Sequence, residues 1–215
     1  MNILVNKAHY PVSVLGHGKR IGIWLQGCTI RCRSCCSLDT WEFAADRGMN
    51  VASLVDWCRD VSVGSLDGIT ISGGEPFDQP EALLVLLEAL GRWRSEEQRR
   101  FDILLYTGYS ERRVRRDFAE HVRNLDAVVA GPFRENAGGE KSYCGSDNQQ
   151  ILLCSPIAEE RYGPERLAGW KSGMQVAADD EGIWMIGIPR PGDLMRFEAG
   201  CLKRGLVLVK PSWRC

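Results

Sequence analysis

Apolar and polar positions along this chain fall into blocks with two different periods. "RIGIWLQG" (20–27) is an apolar, β-branched run that stops at a glycine, which predicts a buried strand. "VASLVDWCRDV" (51–61) has helical apolar spacing, with Asn50 placed to cap it. "GITIS" (68–72) predicts a second strand and runs into "GGEP". "QPEALLVLLEALGRWR" (79–94) predicts a helix, with Pro80 suited to its first turn. "FDILLYTG" (101–108) reads as a strand, "SERRVRRDFAEHVRNL" (110–125) as a helix, and "DAVVAG" (126–131) and "NQQILLC" (148–154) as strands. The alternation implies an α/β fold whose strands run parallel, joined by right-handed helical crossovers.

In such folds, sites lie at the C-terminal ends of the strands. Four notable segments fall there: a cysteine cluster after the first strand, "GGEP" after the second, "TGY" (107–109) after the third and "GPF" (131–133) after the fourth. They are expected to open on one rim.

The texture changes after residue 155. "GMQVAADDEGIWMIGIP" (173–189) reads as a hairpin with "DDEG" near its turn. "PGDLMRFEAGCLKRG" (191–205) reads as a short helix and "LVLVKP" (206–211) as a final strand. Residues 1–155 are therefore expected to form the core, with 156–215 as a small α+β appendage packed on it.

Composition adds limits. The 215 residues are 44% hydrophobic and 26% charged, enough to bury a core without crosslinks. A net charge of −1 gives no global pull toward nucleic acid or an anionic membrane. "ALLVLLEAL" (82–90), the most apolar stretch, is too short to span a bilayer and contains Glu88. No signal-peptide pattern is evident, so the expected location is cytoplasmic, where clustered cysteines point to metal or catalysis before disulfides.

"GCTIRCRSCC" (27–36) spaces Cys28, Cys32, Cys35 and Cys36 closely. A structural zinc site wants a further ligand pair, and His9, His17 and His121 are not paired at ligand spacing. Three cysteines in one loop instead suit an iron–sulfur cluster with one iron left unligated by protein. Cys36 is an alternative to Cys35 as third ligand. In "GGEP", Gly73 and Gly74 would let backbone approach a ligand, and Glu75 can accept from an ammonium.

The C-x3-C-x2-C run after a strand, with "ISGGEP" (71–76) about forty residues on, resembles the radical S-adenosylmethionine (SAM) superfamily. The resemblance implies a 4Fe–4S cluster on Cys28, Cys32 and Cys35, and SAM chelating the open iron. One electron then cleaves SAM reductively to a 5′-deoxyadenosyl radical that abstracts hydrogen. Ser34 stands where the superfamily often has an aromatic residue.

"LGHGKRIGIWLQGCTIRC" (15–32) is similar to the G-P-G-x-R…Q-G-C run of glycyl-radical-enzyme activases, with His17 at the proline. "LYTGY" (105–109), "DAVVAGPF" (126–133) and "GSDNQQIL" (145–152) are similar to the activating enzyme of anaerobic ribonucleotide reductase. That branch implies a partial (β/α) barrel open on one side. It places Gly73, Gly74 and Glu75 against SAM, and Thr107, Tyr109 and Asn148 along the same cavity. It gives Gly16, Gly18 and Arg20 a role in shaping the way in. It implies a protein substrate in trans, such as a glycyl radical enzyme, and an external electron donor. The other readings are modification of a small molecule, nucleotide or peptide, and an electron-carrying iron–sulfur protein with a closed four-ligand cluster.

The remaining features have ordinary readings. "GHGK" (16–19) lacks the spacing of a phosphate loop. Arg112, Arg113, Arg115 and Arg116 form a solvated helix face, with nucleic-acid contact the weaker reading. Cys58 and Cys154 read as core thiols, and Cys144, Cys201 and Cys215 lack the spacing of an auxiliary cluster. Trp170, Trp184 and Trp213 read as packing residues.

Overall fold

The computed structural model describes residues 1–168, 173–179, 182–209 and 211–214. Its strands are β1 (Asn2–Val12), β2 (Arg20–Leu25), β3 (Gly48–Asn50), β4 (Gly68–Gly73), β5 (Asp102–Thr107), β6 (Ala127–Ala130), β7 (Gln150–Leu153), β8 (Met174–Asp179) and β9 (Gly182–Gly187). Its helices are α1 (Val51–Val61), α2 (Pro80–Glu96), α3 (Glu111–Asp117), α4 (Ala119–Val122), α5 (Pro156–Tyr162), α6 (Pro164–Leu167) and α7 (Asp193–Lys203).

The fold is mixed α/β. A seven-stranded sheet has the order β3-β1-β2-β4-β5-β6-β7, and β8 and β9 form a separate hairpin. The centre, β2-β4-β5-β6, is parallel. Its four C-terminal ends therefore share one rim, as the alternation of elements required. Ile69, Ile71, Ile103 and Leu105 pack with the fully buried Leu83, Leu86, Leu87 and Leu90 of α2 on one face of the sheet. Leu104, Ala127 and Val129 face the other way, toward Tyr143, Cys144 and Tyr162. α1 starts where expected, with the Asn50 side chain accepting from the Ala52 N–H.

The structure adds to the expected elements and corrects several of them. Residues 1–19 carry no predicted element, and β1 within them pairs antiparallel with β2. Its apolar positions are interrupted by polar residues and register shifts, so the period is blurred. β7 runs antiparallel to β6, not parallel. The connection between them, 131–149, contains no helix, and without a crossover the chain returns in the opposite sense. The helix expected over 110–125 is split at Phe118, whose backbone (φ −127, ψ 31) leaves the helical region. There its ring stacks on Phe77 at 4.2 Å and meets His121 edge-on. Finally, 206–209 form no strand, and Lys210 lies outside the described residues. A strand needs a partner strand for its backbone groups, and 206–209 join neither described sheet, which leaves Val207 and Val209 exposed.

The hairpin over 173–189 and the helix over 191–205 are present as β8–β9 and α7, while the middle of the "DDEG" turn and Trp170 fall outside the described residues. Cys58 is fully buried and Cys154 packs against the same core, as core thiols would. Trp184 meets His9 edge-on at 5.7 Å, and Trp213 meets Phe197 at 6.3 Å. Among the described residues no helix is long and apolar enough to cross a membrane.

Gly16, Gly18 and Arg20 do not sit at the rim. Arg20 stands at the start of β2, in register with Gly68 and through it with Asp102, at the N-terminal ends of the parallel strands. It is fully buried and donates to Asp102 Oδ1 at 3.0 Å and Oδ2 at 2.7 Å, to Thr70 Oγ1 at 2.7 Å and to the Ile69 carbonyl at 2.9 Å. Arg161 also pairs with Asp102, and the Tyr162 hydroxyl donates to it at 2.8 Å. α5, just past residue 155, is thus tied to the base of the sheet.

Candidate functional site

The rim is stitched together by backbone. The Gly74 N–H donates to the Leu25 carbonyl at 2.8 Å and the Glu75 N–H to Gly27 at 2.9 Å. A Cβ at Gly74 would stand 2.0 Å from the Gly27 oxygen, and one at Gly73 (φ +107) 2.3 Å from the Leu25 nitrogen. Only glycine tolerates both the approach and the backbone angle. The glycines of "GGEP" thus have a packing reason: they let the loops after β2 and β4 lie against each other.

Glu75 is 1% exposed. Its carboxylate accepts from the Phe77 N–H at 3.0 Å, the Thr107 hydroxyl at 2.7 Å and the Gly108 N–H at 2.8 Å. Among the described residues it has no cationic partner. Burial pushes its pKa up to about 7, against the pull of these three hydrogen bonds. The folded chain therefore keeps this proton up to about pH 7, whereas an unfolded chain releases it above about 4.5. Stability of the cofactor-free protein is expected to be fullest below pH 4.5 on this account and to fall, by about 3 kcal/mol, as pH rises through 7. Urea melts across that range will check it. Glu75→Gln should flatten this slope, and an unchanged slope would remove Glu75 as its cause.

Thr107 and Tyr109 join the same network. The Tyr109 N–H donates to Thr107 Oγ1 at 3.0 Å, and the Tyr109 hydroxyl donates to Asp78 Oδ1 at 2.6 Å. Asp78 also accepts from the Thr29 N–H at 2.7 Å and the Thr29 hydroxyl at 3.1 Å, beside Cys28. The structure thus gathers Gly73, Gly74, Glu75, Thr107 and Tyr109 next to the cysteine loop. Asn148 is set apart from this network. Its amide donates to the Pro132 carbonyl at 2.9 Å, and its buried Oδ1 has no partner. The antiparallel β7, with Gln150 opposite Ala130, is what brings Asn148 to the rim.

Sequence reasoning passed over Asp78, Gln79 and Thr29. Gln79 accepts from the Leu4 N–H at 2.7 Å and donates to the Leu4 and Gln26 carbonyls, each at 3.1 Å, tying β1 to the rim. Asp78 and Gln79 lie within three residues of the end of "GGEP", but their partners come from segments far away in sequence.

The cysteine loop is tightly turned. Arg31 (φ 49) and Ser34 (φ 60) take left-handed backbone on either side of Cys32. Burial raises the pKa of Cys28, opposed by the backbone N–H groups of Arg31 and Ile30. Burial likewise raises Cys32, opposed by the N–H of Phe133 in the "GPF" loop. The Ser37 N–H reaches Cys35 Sγ at 3.4 Å. Cys36 lines a cavity together with Lys7, Trp24, Trp184 and Ser212, and burial pushes its thiol up to about 11.

These features fit an iron–sulfur cluster. Cys28, Cys32 and Cys35 are free thiols of one loop, and N–H groups aimed at their sulfurs would stabilise them as thiolates. Among the described residues no three His, Cys, Asp or Glu side chains converge on a point that would hold a single ion. Cluster ligands need no such convergence, because each binds a different iron.

The 4Fe-4S single cluster domain family matches residues 14–152 of this chain. The anaerobic ribonucleoside-triphosphate reductase-activating protein of Pasteurella multocida is 30% identical over 151 residues, 66% of this chain and 93% of that protein. The protein of the same name from Enterobacteria phage T4 is 26% identical over 144 residues, 66% of this chain and 89% of the other. The pyruvate formate-lyase-activating enzyme of Streptococcus mutans is 27% identical over 156 residues, 71% of this chain and 59% of that enzyme. With a matched region that holds the cysteine loop and the whole parallel sheet, the chain belongs to the 4Fe-4S single cluster domain family, in its radical SAM activase branch.

Proposed function

We propose that Cys28, Cys32 and Cys35 hold a 4Fe–4S cluster beside a SAM site, and that the chain activates a glycyl radical enzyme in trans. The bound cluster and SAM supply the chemistry, a one-electron reductive cleavage whose radical removes a hydrogen atom from the partner. The electron comes from an external donor.

One observation carries the SAM assignment. Glu75 is a buried carboxylate with three hydrogen-bond donors and no cation, next to the cysteine loop. The ammonium of SAM's methionine supplies the missing positive charge, and with it in place the carboxylate is held ionised. Gly73 and Gly74 shape the backbone beside it. Thr107 fixes the Glu75 rotamer, and Tyr109 closes the side toward Asp78. The orphaned Asn148 Oδ1 is an acceptor for a ligand group on the opposite wall. The parallel strands form a partial barrel in this reading, with the partner approaching its open side. Residues 156–215 form the appendage.

Reconstituted anaerobically and reduced with dithionite, the chain is expected to convert SAM to 5′-deoxyadenosine. A fully loaded, reduced sample that yields none would overturn the reading and favour an electron carrier. Glu75→Ala should weaken SAM binding about tenfold or more, since a charge-assisted contact contributes about 1.5–3 kcal/mol. Its iron content should be unchanged, because the thiolates lie in a different loop. SAM titration followed by the cluster's spectrum reads the difference, and equal affinities would take Glu75 out of the site.

A further inference from the structure

The family match ends at residue 152, yet the far C-terminus reaches back to the cysteine loop. The Leu38 N–H donates to the Ser212 carbonyl at 2.9 Å, and the Ser212 hydroxyl donates to the Cys36 carbonyl at 2.9 Å. These two bonds bracket Ser37, whose own N–H points at Cys35 Sγ. The C-terminal segment is itself anchored. The Trp213 indole donates to Glu198 Oε1 at 2.7 Å, Arg214 pairs with the same carboxylate, and the Trp213 ring meets Phe197 edge-on. Glu198 and Phe197 belong to α7. Between this segment, the hairpin and β1 lies a cavity of about 60 Å³ lined by Cys36, Trp24, Trp184 and Ile186.

We propose that residues 211–214 are a strap that positions the cysteine loop. The strap fixes the backbone from Cys36 to Leu38, so that Cys35 is presented to the cluster while Cys36 stays in the appendage cavity. Ser212 is a positioning residue: it acts through the main chain of the loop and touches no thiol assigned to the iron. The strap lies outside the matched family region, so it is a support added to that core. This inference rests on the cluster assignment made above.

Sequence logic supports the arrangement. A loop with two left-handed residues, Arg31 and Ser34, stores conformational strain that its surroundings must hold in place. On one side it is held by the Gly27 and Cys28 N–H groups, which donate to Thr40 at 2.8 Å and Trp41 at 2.9 Å. On the other side, Ser212 supplies the contacts to residues 36 and 38 that come from beyond the loop.

The test compares the full chain with two variants. One lacks residues 211–215. The other carries Ser212→Ala with Glu198→Ala, which keeps the chain length and loosens the anchor. Amide hydrogen exchange is measured on the metal-free proteins, and loss of cluster absorbance to an iron chelator on the reconstituted ones. Circular dichroism confirms that each variant is folded. Removing two hydrogen bonds from the loop should speed both Leu38 exchange and iron loss by about tenfold in the deletion, and severalfold in the double variant. Rates within twofold of the full chain in both variants would overturn the proposal. A full chain that takes up no cluster at all would instead overturn the cluster assignment, which keeps the two failures distinct.

Discussion

Cys28→Ala, Cys32→Ala and Cys35→Ala are each expected to yield a folded chain that retains no stable 4Fe–4S cluster after anaerobic reconstitution. A cluster held by three protein thiolates has no spare ligand, so removing one leaves two irons without protein support. Cys36→Ala should keep most of the iron, because Cys36 lines a cavity with Trp24 and Trp184 and is not one of the three proposed ligands. Iron and sulfide content, with the visible spectrum, read this directly. Iron retained in Cys35→Ala and lost in Cys36→Ala would reverse the assignment of the third ligand. The effect is close to all-or-none, because binding by all three thiolates at once is what fixes the cluster in the loop.

Asp102→Ala is expected to be the most destabilising single change away from the rim. Burial alone would raise the Asp102 pKa. The Arg20 charge and hydrogen bonds from Arg20, Arg161 and Tyr162 outweigh it and hold the carboxyl below its usual range. Removing the carboxylate leaves Arg20 charged and 0% exposed. Breaking a buried pair by deleting one partner costs about 3–5 kcal/mol, a large share of the 5–15 kcal/mol that typically holds a domain together. Urea denaturation should show the loss, with SAM and iron absent so that only the fold is measured. The depressed pKa also sets a sign. This stabilisation is present above the unfolded carboxyl value of 3.8 and disappears as pH falls through the lower folded value. A variant within about 1 kcal/mol of the parent would show that the network contributes little.

The two predictions concern opposite ends of the same strands. The Arg20 network closes the N-terminal ends, where it also captures α5. The cysteines and Glu75 occupy the C-terminal ends. A chain cut after Ser155 therefore loses Arg161 and Tyr162 from the base of the sheet as well as the hairpin, α7 and the strap.

The sequence by itself determined the elements whose signals are local. The helix of 51–61, the long helix after Gln79 and the parallel run β2, β4, β5, β6 follow from apolar periodicity, because each buries one stripe or both faces against the same core. The family was legible too, since the closely spaced thiols after β2 and the glycine-rich end of β4 both lie inside the matched region. Tertiary structure decided whatever depends on a partner distant in the chain. It set β7 antiparallel, broke the helix at Phe118 for an aromatic stack, and left 206–209 unpaired. It moved Arg20 from the expected mouth to the base, because its carboxylate partner, Asp102, begins β5 there. It disclosed Asp78, which becomes a hub only when Thr29 and Tyr109 arrive from other loops. It also made Cys36 part of the lining of a cavity shared with the hairpin and Ser212, which its place in the cysteine run does not reveal. Spacing along a chain encodes which groups can share a loop; which way each one faces is set by the surfaces that later pack against it.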